Sequence, residues 1–205
     1  MVSTDLESRK RRALSLVERY PASCEILEFY AGLIGFDSDW PTLRARLQEI
    51  APVPMREASA GLAEPEGIFL KILLRNHPPA ADSFLEKNQC PECGSAPQCG
   101  VLREEGQGHA LLLVCSLCSN EWVFPRSECP GCLMADEKRL GFYKAEQFPH
   151  VQTLLCENCQ MYLHIIHCGI DLQAIPEVDE LACTPLDVWA VGQGYKKVVA
   201  NLAGI

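Results

Sequence analysis

The sequence contains no apolar run approaching the roughly 18 residues that a membrane-spanning helix requires. It also lacks an excess of positive charge. Against 18 Lys and Arg stand 27 Asp and Glu, a formal net charge of -9, so a nucleic-acid backbone is repelled unless a local basic patch outweighs the balance. There is no Gly-x-Ser-x-Gly, no glycine-rich phosphate loop and no His-Glu-x-x-His. No catalytic constellation emerges, and a non-enzymatic role is expected. The basic run Arg9, Lys10, Arg11, Arg12 leads into "ALSLVERY", too short and too charged for the apolar region of a signal peptide, which places the protein in the cytoplasm.

What is present is sulfur. Twelve cysteines occur in 205 residues, and eight of them form four Cys-x-x-Cys pairs: "CPEC", "CSLC", "CPGC" and "CENC". In a reducing compartment such pairs bind metal more often than they form disulfides. A thioredoxin-like device would show one reactive pair near a βαβ pattern, whereas here there are four pairs and no such pattern. The pairs also repeat as units, with 21 residues between Cys93 and Cys115 and 23 between Cys132 and Cys156.

The chain is 48% hydrophobic and long enough to bury a core. Its character changes near Asn88, with Cys24 the one cysteine before that point. An α+β organisation is expected: a helical N-terminal region over 1–88, a first small-β metal module over 89–127, a second over 128–170, and a C-terminal helical segment over 171–205. Thr4-Asp5-Leu6-Glu7 fits a capping box, and Leu6, Ala13, Leu14 and Val17 share a helical face until Pro21. Cys24 to Leu33 reads as a second helix, and a third starts beside Pro41 with Leu43, Leu47 and Ile50 inward. "APVPMREASAGLAEPEG" reads as a loop. Ile68 to Leu74, apolar almost all round, reads as a helix buried in a core or against a partner. Leu111–Val114, Trp122–Phe124, Val151–Leu155 and Met161–Ile166 read as strands beside the cysteine pairs, and one amphipathic helix is expected from Val178 to about Ala200.

A Cys-x-x-Cys turn brings two sulfurs near one ion, and two such turns joined by a hairpin close a tetrahedral four-sulfur site, as in zinc ribbons and rubredoxins. The repeat pairs Cys90, Cys93, Cys115 and Cys118 as one site and Cys129, Cys132, Cys156 and Cys159 as the other. Two metal ions, zinc or iron, are expected. A cross-braced pairing of the first turn with the third and the second with the fourth stays open. Each site of four thiolates and one divalent ion adds -2 to the formal charge. Gly94 suits the left-handed position that follows such a turn, and Ser119, Leu133 and Gln160 stand at the equivalent places. Cys24, Cys99, Cys168 and Cys183 read as small packed residues, with Cys168, His164 and His167 the nearest alternatives as ligands. His109 and His150 fall in loops without an assigned role. Trp122, Phe124, Phe142, Tyr143 and Tyr162 are expected to pack the small cores.

The order "CPECGSAP", "LLLVCSLCSNEWVFPRSECPGC", "LLCENCQMYLHII" resembles the formate dehydrogenase accessory protein family, FdhE. "EVDELACTPLDVWAVGQGY" is similar to the family's ending, with Asp179, Leu181, Ala182, Leu186, Asp187, Gly194 and Tyr195 in corresponding places, and "ILEFYAGLIGF" to its early helix. The resemblance implies a cytoplasmic maturation factor that binds the catalytic subunit of formate dehydrogenase and carries tandem rubredoxin-like or zinc-ribbon modules. Two other readings stand beside it: an iron electron carrier or redox sensor, and a zinc-ribbon nucleic-acid adaptor.

Overall fold

The computed structural model describes residues 6–81, 85–106 and 108–204. The Thr4-Asp5 part of the expected capping box lies outside them. The architecture is α+β, with an N-terminal helical region, one mixed sheet and C-terminal helices.

Helix α1 (Leu6–Arg19) turns a different face inward from the one its leucines suggest: Ala13 and Leu16 are buried with Arg12, while Leu6 and Leu14 stand exposed. The Arg12 guanidinium reaches buried Asp179, 167 residues further on, and the helix is held by that ion pair as well as by its apolar residues. Helix α2 (Cys24–Leu33) buries Leu27, Phe29 and Tyr30, and α3 (Trp40–Ile50) buries Leu43 and Leu47. Asp39 caps α3 by accepting from the Thr42 N–H at 3.0 Å, and Pro41 fits its first turn, where no N–H is needed. The expected loop after it contains a helix, α4 (Val53–Ala60), which the two prolines concealed. Helix α5 (Gly67–Leu74) forms, but only Phe69 is fully buried, tilted against Trp40, and Leu70 is exposed.

Seven strands among the described residues form one sheet in the order β3-β2-β1-β6-β5-β4, with β7 beside β6. They are β1 (Pro97–Glu105), β2 (Gly108–Cys115), β3 (Glu121–Val123), β4 (Leu140–Tyr143), β5 (Val151–Cys156), β6 (Met161–His167) and β7 (Lys196–Lys197). Each repeat contributes three antiparallel strands in the same internal order. The repeats meet where β1 runs parallel to β6, Gly100 opposite Ile165. This is a direct repeat, so both units point the same way in the sheet. A Cβ on Gly100 would lie 3.0 Å from the Leu111 side chain and 3.2 Å from that of Ile165, which is why the seam carries a glycine.

The expected single C-terminal helix is two, α6 (Pro176–Ala182) and α7 (Thr184–Gly192), and the chain then returns as β7. Pro185 in the first turn of α7 cannot continue α6, because it has no N–H to donate. All seven residues of α6 are buried, including three carboxylates, and each has a cation: Arg9 for Glu177, Arg12 for Asp179 and Lys197 for Glu180. Helices α1 and α2, together with α6, Phe148, Val151 and Ile166, make up much of one core, so the N-terminal helices are packed onto the second repeat. No helix among the described residues is long and apolar enough to cross a membrane.

Candidate metal centres

The register places both cysteine groups at one end of the sheet. Pro97 at the start of β1 faces Cys115 at the end of β2, and Leu140 at the start of β4 faces Cys156 at the end of β5. Sulfurs gather by neighbouring pairs: Cys90, Cys93, Cys115 and Cys118 in one group and Cys129, Cys132, Cys156 and Cys159 in the other, each within 4.8 Å of one another. In the first, Cys90 to Cys118 is 3.6 Å, Cys93 to Cys115 3.4 Å and Cys93 to Cys118 3.6 Å. In the second, Cys129 to Cys159 is 3.7 Å and Cys132 to Cys156 3.9 Å. Disulfide sulfurs would stand about 2.05 Å apart. Four sulfurs each about 2.3 Å from one tetrahedral ion would be about 3.8 Å apart, so the donor sets fit zinc or iron.

The turns are shaped for this. The residue after each pair has positive φ, 73° at Gly94, 57° at Ser119, 59° at Leu133 and 55° at Gln160, and the last three are the non-glycine residues in that region among the described residues. That backbone lets N–H groups approach sulfur: Leu117 N donates to Cys115 Sγ at 3.3 Å and Gly131 N to Cys129 Sγ at 3.3 Å. A side chain in the left-handed conformation is strained by about 1–2 kcal/mol. Gln160→Gly, at an exposed site, is therefore expected to raise stability by about 0.5–1 kcal/mol in urea unfolding of the metal-loaded protein. An unchanged or lower midpoint would contradict the strain.

Thiol ionisation differs within each group. Burial raises Cys93 and Cys132, yet hydrogen bonds from Ser95 to Cys93, and from Met134 and Asn158 to Cys132, prevail and bring both down to about 7. Burial wins at Cys118 and Cys159, pushed up to about 11, and pushes Cys115 and Cys129 higher still. Metal uptake near neutral pH therefore expels protons from the raised thiols.

The groups differ in cover. Three sulfurs of the first are buried and Leu74 of α5 packs over them, whereas Cys132 of the second is exposed. Trp122 packs against the first group and against the apolar core that contains Cys129 and Cys156, and Asn88 Nδ2 donates to Pro130 O at 2.8 Å, tying the first turn to the second unit.

The alternative ligands are elsewhere. Strand β6 leads away from Cys159, so His167 and Cys168 at its far end stand about 20 Å from that turn. His164 is buried and shared between Thr153 (2.9 Å) and Asp187 (2.7 Å). Cys99 and Cys183 are buried, and burial raises both thiols. Phe124 and Tyr162 are core residues, but Phe142 is exposed, and partly exposed Tyr143 stacks on Trp189 at 4.0 Å.

Sequence reasoning missed two buried polar networks. His150, read as a loop residue without a role, is sealed and bonded to Asp179 at 2.9 Å. His150, Asp171 and Asp179 converge as a cation site would, but the Arg12 guanidinium already bonds both carboxylates and supplies the positive charge. Around Asp187 gather Tyr162 at 2.9 Å, His164, Lys197 at 2.5 Å and Asn201 at 3.1 Å. The available signal was the set of carboxylates at 177, 179, 180 and 187 within otherwise apolar sequence.

Residues 89–126, which hold the first cysteine group, match the family described as FdhE, central domain. The Protein FdhE homolog of Aquifex aeolicus is 32% identical over 120 residues, 58% of this chain and 42% of that protein. The homolog of Stutzerimonas stutzeri is 35% identical over 124 residues, 57% of this chain and 38% of that protein. The matched sequence thus spans about two fifths of the length of these relatives. The crystal structure of the FdhE protein from Pseudomonas aeruginosa shares the fold, with a TM-score of 0.58 at 22% identity, covering 98% of this chain and 80% of that one. The chain is thus similar in sequence to FdhE proteins over more than half of its length, and in fold to one of them over nearly all of it.

Proposed function

We propose that the chain is a non-enzymatic, cytoplasmic accessory protein for formate dehydrogenase, that Cys90, Cys93, Cys115 and Cys118 hold one metal ion and Cys129, Cys132, Cys156 and Cys159 a second, and that the assembled molecule meets the enzyme's catalytic subunit. The kinship with FdhE proteins carries the reading. The two closed four-sulfur groups support it, since full coordination leaves no open position for hydrolysis. Zinc bound there would act as a crosslink, and iron would add a one-electron couple. Deleting the gene in an organism that makes formate dehydrogenase should leave the enzyme unassembled or inactive, and the purified chain should retain the catalytic subunit. Normal assembly and activity after deletion would overturn the proposal.

The exposed Cys132 favours a second reading, an iron electron carrier or redox sensor, because it brings one sulfur of the second group to the surface. A reversible one-electron couple in iron-loaded protein would support this, and its absence would remove it.

The difference in cover predicts how metal leaves. Excess chelator should remove one ion at least tenfold faster than the other, and Cys132→Ser should abolish the fast phase. Equal release rates would show that Leu74 and α5 give the first group no protection.

A further inference from the structure

A cavity of about 150 Å³ lies between α1, the end of α2, α5 and the first cysteine unit. Its apolar wall includes Leu33, Ile34, Ile68, Ile72, Leu181 and Leu202. Lys71, Arg75 and Tyr30 also line it, as do Cys118 and Ser119 of the metal turn.

The polar groups here are mismatched in one direction. Tyr30 is 4% exposed and its hydroxyl is sealed beside the Arg75 guanidinium, itself a donor, so the hydroxyl hydrogen has no acceptor. The Arg75 guanidinium lies 5.6 Å from the Tyr30 ring centroid, and its hydrogen bond to Ser119 Oγ is a long 3.4 Å. Lys71 forms no ion pair or hydrogen bond among the described residues, and Arg9, although paired with Glu177 at 2.7 Å, leaves its buried Nε unmatched. The sealed groups without an acceptor here are the Tyr30 hydroxyl and Arg9 Nε, and two half-buried cations, Lys71 and Arg75, line the same cavity without a carboxylate partner among the described residues. The carboxylate that lines the cavity, Glu177, is already taken by Arg9. In a chain of net charge -9 this is a local reversal of sign. Donors and positive charge outnumber free acceptors along this cavity, and a buried donor gains from an acceptor, which makes an anion the complementary ligand.

We propose that this cavity binds a carboxylate carried on a short branched apolar stem, with Tyr30, Lys71 and Arg75 holding the carboxylate and the isoleucine and leucine wall holding the stem. A cavity of this volume admits a benzene-sized group. The ligand is therefore about eight non-hydrogen atoms in size, and it is either a free short-chain acid or the end of a polypeptide that terminates in such a side chain. The proposal extends beyond the assignment as an accessory protein and does not depend on it.

The test uses the full chain loaded with metal, titrated with 4-methylpentanoate and followed by ligand-observed NMR, with 4-methylpentanamide as the neutral counterpart. Binding in about the millimolar range is expected for the acid, with the amide at least tenfold weaker. Arg75→Met and Lys71→Met should each weaken the acid about tenfold, Tyr30→Phe severalfold, and Lys144→Met, far along the sheet, not at all. Metal content is measured in every variant. A hexapeptide ending in leucine with a free carboxylate, compared with its amide, separates the sources: tighter binding than the small acid assigns the site to a polypeptide end, and weaker binding to a free acid. Absence of binding, or equal binding of acid and amide, overturns the proposal. So does unchanged affinity in Arg75→Met and Lys71→Met. Loss of metal in those variants without any acid binding would show that the cations serve only to offset the thiolate charge.

Discussion

Cys115→Ser is expected to lower the bound metal from two ions per chain to one and to unfold the first repeat around it. Cys115 ends β2, is 2% exposed, accepts N–H groups from Leu117 and Cys118 through its sulfur, and faces the start of β1. Serine offers a shorter, harder oxygen that does not ionise at neutral pH, so the site keeps three ligands and two N–H donors exchange a thiolate for a more distant, neutral acceptor. A structural zinc supplies about 10–16 kcal/mol of apparent binding energy coupled to folding, and most of the local stability goes with it. The second group should keep its ion, because its sulfurs come from a separate set of turns. Elemental mass spectrometry gives the stoichiometry, and amide exchange should show β1 to β3 losing protection while β4 and β5 retain theirs. Strand β6 is the informative case, since it bonds to β1 as well as β5. Two ions retained in this variant would break the ligand assignment, and loss of both would show that the units fold only together.

These outcomes rest on what local sequence determines well. A Cys-x-x-Cys turn is specified within about six residues, so the four turns and their left-handed fifth positions could be read directly, even where Ser119, Leu133 and Gln160 replace the preferred glycine, whereas the grouping of neighbouring pairs rested on the repeat spacing and left a cross-braced pairing open. Helices α2 and α3 were legible for the same reason, since the apolar spacing of each and the Pro41 start of α3 are local features. Strand β1 was not. "QCGVLREE" is irregular in pattern because its first half is buried between two neighbours and its second half is exposed at the hairpin end. The parallel β1–β6 seam joins residues 65 apart, and no local pattern encodes it. The face of α1 was misjudged because Arg12 looks like a surface residue until Asp179 is brought to it. Long-range charge pairing also explains α6, where an amphipathic helix was expected and all seven residues, three carboxylates among them, are buried.

That buried pairing leads to the second large effect, at Lys197. Its side chain is 2% exposed and its ammonium lies between Glu180 and Asp187, both fully buried. Burial alone would lower the Lys197 pKa, but the two carboxylates overcome it and hold the value above the usual range. Burial likewise raises Asp187, while His164 and Lys197 outweigh it and hold the value below that of a free carboxylate. For the lysine, a raised folded pKa means stabilisation that is complete below about 10.4 and lost as pH rises through the folded value. For Asp187, a depressed folded pKa means stabilisation that is present above about 3.9 and lost as pH falls through the folded value. The cluster is thus at full strength across neutral pH. Lys197→Met keeps the stem and removes the charge, leaving two carboxylates without their cation in a dry interior. A loss of about 3–5 kcal/mol is expected in urea unfolding at pH 8. Without the ammonium those carboxylates take up protons more readily, so the deficit should shrink between pH 8.5 and pH 6. Adding Glu180→Gln to Lys197→Met should recover part of the loss, because it removes one of the stranded charges. A deficit below about 0.5 kcal/mol, the range of an ordinary surface substitution, would mean that α6 and β7 are joined by packing alone.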